Sequence, residues 1–429
     1  MNEIAPVSPF AAANPAIESI KERLSPPVGS GLGSFRAIAA VGLCGVFAFL
    51  NLYITQPLLP MLEHIFNASK SAVGLTVSAA TLGVALSAPI VGALAEQMNR
   101  KRVIVASTLV LSVPTLLAAT APGLHSLVFW RFLQGLISPS IFALTITYVG
   151  EEWESHAVPI VMSIYVSGTA MGGFLGRIIA GVAAERLNWR WSFLILGVLT
   201  ALGAAMIARW LPEERRVIPP GRRTSPVAQL RAMLEHFRNP RLVATFAAGF
   251  GMLFALVGTF TYITFYLADA PFHLSTEALS YLFAIYLIGL VVTPAGGFLI
   301  TRIGMRAGIA LAITACLVGA LVTLSHSLWI VVLVGLGLVC TGVFVAQATT
   351  NSFLRIAAPA GGRASAAGLY ICCYYIGGTA GGLVPAYMWS LGKWPACVAL
   401  IACVLAVTLA VALVGWRMPR AEPAGRAVS

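Results

Sequence analysis

The sequence predicts an all-α membrane protein of twelve transmembrane helices, arranged as two pseudo-repeated six-helix bundles with both termini in the cytoplasm. Three observations predict it. Of 429 residues, 59% are hydrophobic and only 10% charged, and the mean hydropathy is +0.88, well beyond a soluble globular domain. Twelve apolar runs follow one another between short polar breaks, each near the roughly 20 residues that a bilayer requires. Two stretches of the first half of the chain also recur in the second half.

The runs lie near residues 37–59, 72–95, 103–121, 126–149, 157–183, 191–211, 242–268, 278–300, 307–324, 327–350, 364–388 and 395–416. Strands of a β-barrel would alternate over segments of about ten residues, which these continuous runs do not. Residues 1–35 carry Glu18, Lys21, Glu22 and Arg23 but no short apolar core with a cleavage site, so they read as an N-terminal cytoplasmic tail rather than a signal peptide. Runs one to six then form a first bundle over 36–211. The stretch "LPEERRVIPPGRRTSPVAQLRAMLEHFRNPR", from Leu211, is rich in Pro and Arg and reads as a cytoplasmic linker, 212–240, whose piece "AQLRAMLEHF" can lie on the membrane surface. Runs seven to twelve form the second bundle over 241–417, and 418–429 is a C-terminal cytoplasmic tail.

Charge placement sets the topology. Of the 27 Lys and Arg, 21 fall on one side of the twelve runs, four (Lys70, Arg186, Arg190, Lys393) on the other, and two (Arg131, Arg177) within runs. That asymmetry is the positive-inside pattern for cytoplasmic termini, so the net charge of +12 reports orientation and not nucleic-acid binding. The seven cysteines all fall within runs without metal-ligand spacing, and neither a disulfide, a metal nor a cofactor is expected. No Walker-type loop is present to drive transport with ATP. An intramembrane enzyme would need a nucleophile and base or a metal cluster, whereas the six histidines are scattered near loops. A channel would show a filter loop or repeated small subunits.

The repeats place the halves in register. "GALAEQMNRKR", from Gly92, recurs as "GFLITRIGMRA", from Gly297, with Gly304 and Arg306 inside it. "YVSGTAMGG", from Tyr165, recurs as "YIGGTAGGL", from Tyr375. Nearly equal spacings at two places argue for a duplicated six-helix unit, with a substrate site where the halves meet.

With these motifs the chain resembles the major facilitator superfamily, within it the twelve-span drug:proton antiporter group and the YnfM-like bacterial inner-membrane transporters. The loop after run two is similar to the family's G-x-L-a-D-r-x-G-r-k through Gly92, Leu94, Ala95, Arg100 and Lys101, with Glu96 for Asp and Asn99 for Gly. "RFLQG" in run four matches R-x-x-q-G through Arg131, Gln134 and Gly135. Run five matches G-x-x-x-G-P-x-x-G through Gly168, Gly172 and Gly176, with Gly173 at the proline position. The resemblance implies a latch: Glu96 meeting the start of run eleven near Gly361 to Arg363, with Arg100, Lys101 and Arg102 holding the two halves together on the cytoplasmic side.

Residue chemistry gives the remaining candidates. Gly168, Gly172 and Gly176 share one helix face and permit close helix approach, and Gly378 and Gly382 are their echo in run eleven. Arg131 and Arg177 lie at similar depth, about 8 to 9 Å in from the extracytoplasmic side at roughly 1.5 Å per residue. Intramembrane arginines face a cavity or the bundle interior, although snorkelling to the headgroups is an alternative at this depth. Gln134, Ser138 and Thr145 follow Arg131 at helical spacing as a polar stripe that reads as a cavity wall. All fifteen acidic residues occur in tails, loops or helix ends, so the nearest proton carriers are Glu63 and Asp269. Asn51, Gln56, Tyr165, Tyr262, Tyr266, Gln347, Tyr370, Tyr374 and Tyr375 complete the substrate path, in runs where the family has its central cavity.

The expected function is secondary active transport by alternating access in a bacterial inner membrane, as proton-coupled export of small organic molecules by a monomer in contact with lipid. The alternative is an uptake carrier or exchanger for an anionic or polar small molecule, favoured by two guanidiniums without a central carboxylate.

Overall fold

The computed structural model describes residues 35–94, 99–154, 156–214, 233–359 and 362–416. Both tails, most of the linker and Glu96 lie outside the described residues. The described chain is helical throughout, with segments α1 (Phe35–Leu50), α2 (Lys70–Leu94), α3 (Arg100–Ala119), α4 (Leu124–Glu152), α5 (Val158–Arg186) and α6 (Trp189–Trp210) in the first half. The second half contains α7 (Pro240–Ala268), α8 (Thr276–Ile303), α9 (Met305–Val322), α10 (Ile330–Ala357), α11 (363–391) and α12 (394–415).

Among the described residues ten helices are long and apolar enough to cross a membrane, rather than the expected twelve. The difference has two causes. The first apolar run is broken: α1 stops at Leu50 after 16 residues, residues 51–55 form turns, and a 3₁₀ turn, Gln56–Leu58, leads into a short helix, Leu59–Phe66. Pro57 and Pro60 supply no N–H to an α-helical ladder continuing from α1, and each instead stands in the first turn of its own short segment, where that N–H is not needed. The last two runs form one continuous element, Arg363–Gly415, bent where Gly392 and Lys393 leave helical geometry.

Local chemistry shapes other segments. Asn99, Asn188 and Asn239 each cap the helix that follows by accepting a backbone N–H. Pro139 divides α4 into Leu124–Ile137 and Pro139–Glu152. Gly304, at φ +82°, makes the turn from α8 to α9 in a backbone region that side chains rarely adopt. Helix α8 passes through a 3₁₀ segment, Leu282–Ile288, and α10 begins as a π-helix, Ile330–Leu336.

The first half pairs α1 with α5, α2 with α4 and α3 with α6; the second pairs α7 with the bent α11–α12 element and α8 with α10, while α9 packs on α10 and on that same bent element. Large apolar side chains cover the outer faces of α3, α6, α9 and α12, such as Leu109, Leu202, Leu311 and Val407, as lipid contact requires. The halves meet through α2 against α11 and α5 against the start of α8. Ser78 Oγ donates to the Thr379 carbonyl at 3.1 Å, and the hydroxyls of Thr81 and Thr379 stand 3.0 Å apart.

Candidate functional site

Close contact between α1 and α5 builds the site. A Cβ added at Gly168, Gly172 or Gly176 would fall on the carbonyl oxygen of Gly42, Val46 or Leu50 of α1. The glycine face therefore does bring another helix against α5, and α1 is that helix. In the second half the corresponding contact of α11 with α7 uses Gly377 and Gly381, which face the carbonyls of Phe250 and Phe254. The expected echo is turned away from those carbonyls, with Gly378 against the Leu253 side chain of α7 and near Thr81 of α2 and Gly382 against Ser78 of α2, because one residue of helix rotates the face by about 100°. Gly92 and Gly297 have nothing within 4 Å of an added Cβ.

Pressed against α1, helix α5 carries Arg177 to the junction of the halves, where it is 2% exposed. Its Nε donates to Gln56 Oε1 at 2.9 Å and its Nη1 to the Gly173 carbonyl at 2.7 Å. Gln56 in turn donates from Nε2 to Thr261 Oγ1 of α7 at 3.3 Å, which links the arginine to the second half. Three rings surround the guanidinium: Tyr53 at 4.8 Å, Phe283 at 4.7 Å and Tyr286 at 4.6 Å from Cζ. Phe283 and Tyr286 fall on one line because a 3₁₀ helix repeats every three residues. Desolvated cation–π contacts of this kind contribute on the order of 2 kcal/mol. No acidic group pairs with Arg177 among the described residues, and Nη2 has no hydrogen-bond partner there.

Arg177 borders a cavity of about 160 Å³ between the halves, lined from α1, α5, α7, α8, α10 and α11. It is the only charged residue among the described lining. Of the expected path residues, Arg177, Gln347, Tyr374 and Tyr375 line it, and Gln56 reaches it through Arg177. Phe49, Tyr53, Tyr286 and Phe344 also line it and had not been expected. No local signal marked them, because an aromatic side chain facing such a cavity and one facing lipid sit in equally apolar sequence.

Arg131 does not border the cavity. It is fully buried within the first half, where Nε donates to the Thr76 carbonyl at 3.0 Å and Nη1 to the Asn51 carbonyl at 2.6 Å. Further bonds run to the Leu52 carbonyl and to Gln134 Oε1. The broken end of α1 leaves carbonyls without helical partners, and this guanidinium satisfies them. Gln134 is held by Thr115, Ser138 by the Gln134 carbonyl and Thr145 by the Ile141 carbonyl, so the stripe on α4 is internal packing and not a cavity wall.

Other expected path residues are likewise engaged within a half. Asn51 donates to Thr200 Oγ1 at 2.9 Å and Tyr165 to the Phe142 carbonyl at 3.3 Å. Tyr262 donates to the Gly382 carbonyl at 2.7 Å, Tyr370 shares a hydrogen bond with Thr350, and Tyr266 stacks on Trp394. Glu63 is bound to Lys70 at 2.6 Å, and Asp269 is exposed beyond the end of α7. Neither carboxylate approaches Arg131 or Arg177 closely enough for an ion pair.

The expected latch residues also have other partners. Arg100 is buried and pairs with Glu151 at 2.5 Å and Glu214 at 3.0 Å, while Lys101 pairs with Glu213 at 2.8 Å. These bonds join the start of α3 to the ends of α4 and α6 inside the first half, where they fasten the start of the linker rather than the second half. The Lys101 ammonium holds the exposed Glu213 carboxyl below the usual carboxylate range. Arg306 is exposed beside the Gly304 turn. Among the described residues the ion pair joining the halves lies at the opposite end, Arg186 with Glu277 at 2.7 Å, beside a hydrogen bond from the Thr276 N–H to Glu185.

Two inverted or repeated helical halves around a buried polar site describe a carrier, and the comparisons agree. The Major Facilitator Superfamily model matches residues 41–382. The inner membrane transport protein YnfM of Escherichia coli (strain K12) is 31% identical over 411 residues, covering 95% of this chain and 97% of that protein. The uncharacterized MFS-type transporter YybF of Bacillus subtilis (strain 168) is 29% identical over 383 residues, 89% of this chain and 94% of that one. The solved structure of the nucleoside transporter NupG has a TM-score of 0.73 at 14% identity, covering 89% of this chain and all of that chain. The chain belongs to the Major Facilitator Superfamily and is a membrane transporter, not an enzyme.

Proposed function

We propose that the protein is a secondary active carrier that moves a small anionic or polar organic molecule by alternating access, with Arg177 as its binding group. The observation that carries this reading is one buried guanidinium with aromatic faces, an open donor and no acidic partner, at the edge of a cavity between two halves. A charge so placed is costly in a bilayer and marks a ligand path. In this reading the twelve segments each cross the membrane once, the bundles are 36–211 and 241–417, and both tails and the linker 212–240 are cytoplasmic. The likeness to YnfM supports a place in the bacterial inner membrane, and the site needs no second copy, so the unit is a monomer.

Arg186, Glu277 and Glu185 then close the extracytoplasmic end, so the structure corresponds to a state shut on that side. Proton-coupled export is the second reading. With Glu63 paired to Lys70 and Asp269 exposed, it lacks a carboxylate at the cavity among the described residues, and the anion carrier or exchanger takes first place.

Flux of pooled anionic, neutral and cationic compounds into proteoliposomes under an imposed pH gradient tests this. Anion flux that falls at least tenfold in Arg177→Gln, with no linked proton movement, is the expected result. Undiminished flux in that variant would remove Arg177 from the site, and proton movement tied to substrate would restore the antiport reading.

A further inference from the structure

The cavity is narrower in its demands than a general anion site. Its volume of about 160 Å³ is close to the roughly 150 Å³ that holds one benzene ring in an apolar protein interior. Six aromatic side chains line it, Phe49, Tyr53, Tyr286, Phe344, Tyr374 and Tyr375, and they offer the stacked and edge-on contacts that rings prefer. One positive charge is present among the described lining and one guanidinium nitrogen, Nη2, is left to bind. A second negative charge on the ligand would be buried without a partner, which is strongly unfavourable. An acetate-sized anion would leave most of the apolar volume empty.

Resting on the reading of Arg177 as the binding group, we propose that the substrate class is the single-ring aromatic monocarboxylate, its carboxylate on Arg177 Nη2 and its ring among Phe49, Phe344 and Tyr374. With Tyr53, Phe283 and Tyr286 packed around Cζ and with Nε and Nη1 engaged, a carboxylate conjugated with a flat ring meets the guanidinium at Nη2. Gln347 and Thr293, on the α10 and α8 walls, are the neutral polar groups suited to a hydroxyl on that ring.

Equilibrium binding of radiolabelled benzoate to the purified full-length protein, with competition by cyclohexanecarboxylate, acetate, benzamide, benzylamine and phthalate, tests the class. Benzoate is expected to bind, with each competitor at least tenfold weaker. Arg177→Gln is expected to weaken benzoate at least tenfold while eluting from size-exclusion chromatography as the parent does, which reports that the variant is folded. Phe344→Leu, which removes a ring with little change in volume, is expected to erase the preference for benzoate over cyclohexanecarboxylate. Equal binding of acetate or cyclohexanecarboxylate that still needs Arg177 would overturn the aromatic class and leave the anion site standing. Benzylamine as the tightest probe, or no Arg177-dependent binding of any probe, would overturn both.

Discussion

Arg131 and Arg177 are the same residue type at similar depth, and what faces each guanidinium separates their roles. Around Arg131 the acceptors are three backbone carbonyls and one amide, all fixed within the first half. Arg131→Ala would orphan the Asn51 and Leu52 carbonyls at the broken end of α1, at roughly 1–3 kcal/mol per buried group. It is therefore expected to lower the melting temperature of the detergent-solubilised protein by several degrees, as followed by tryptophan fluorescence. Around Arg177 the neighbours are rings, Gln56 and the Gly173 carbonyl one turn back, so Arg177→Gln removes a desolvated charge without stranding an acidic partner. Its melting temperature is expected to stay within a degree or two of the parent while ligand binding is lost. A scan in which Arg131→Ala left stability intact would contradict this division.

At the scale of elements, helix contact depends on which glycines face which backbone. Gly172 of α5 touches the Val46 carbonyl of α1, and no rotamer change can move a backbone carbonyl out of the way. Gly172→Val is expected to separate α1 from α5 and abolish monodisperse protein in size-exclusion chromatography. Gly297→Ala, in a helix with open space at that position, is expected to be neutral or to stabilise by up to about 1 kcal/mol through better helix propensity. The α1–α5 contact was readable as a small-residue face because periodicity survives in sequence. Its echo was misplaced by one residue, because a repeat in sequence fixes which helices correspond but not the rotation of each about its axis.

For the whole molecule, the proposed alternating access has the α2–α11 seam rearrange while each half stays intact. The Thr81 and Thr379 hydroxyls lie 3.0 Å apart across that seam. A disulfide formed between Thr81→Cys and Thr379→Cys is expected to stop flux in proteoliposomes, and a reductant to restore it. Full flux in the crosslinked protein would mean that this seam does not move. The charged clusters divide in the same way: Arg100 with Glu151 and Glu214 stays within the first half, whereas Arg186 with Glu277 spans the two. Sequence did not separate these clusters, since both sets are charged residues at helix ends and only the fold decides which ends adjoin.

Hydropathy and the family's motifs were enough to read a helical membrane transporter, because the bilayer constrains every residue of a spanning segment and leaves its mark along the whole chain. The special nature of Arg177 was likewise written in sequence, since a charge within an apolar run stands out against its surroundings. Tertiary structure alone decided that Arg131 serves the broken end of α1 while Arg177 borders the cavity, and that Tyr53, Phe283 and Tyr286 enclose it. In a membrane protein the interior and the lipid are both apolar, so the direction in which an aromatic or a buried arginine points is set by helix packing and leaves no trace in composition.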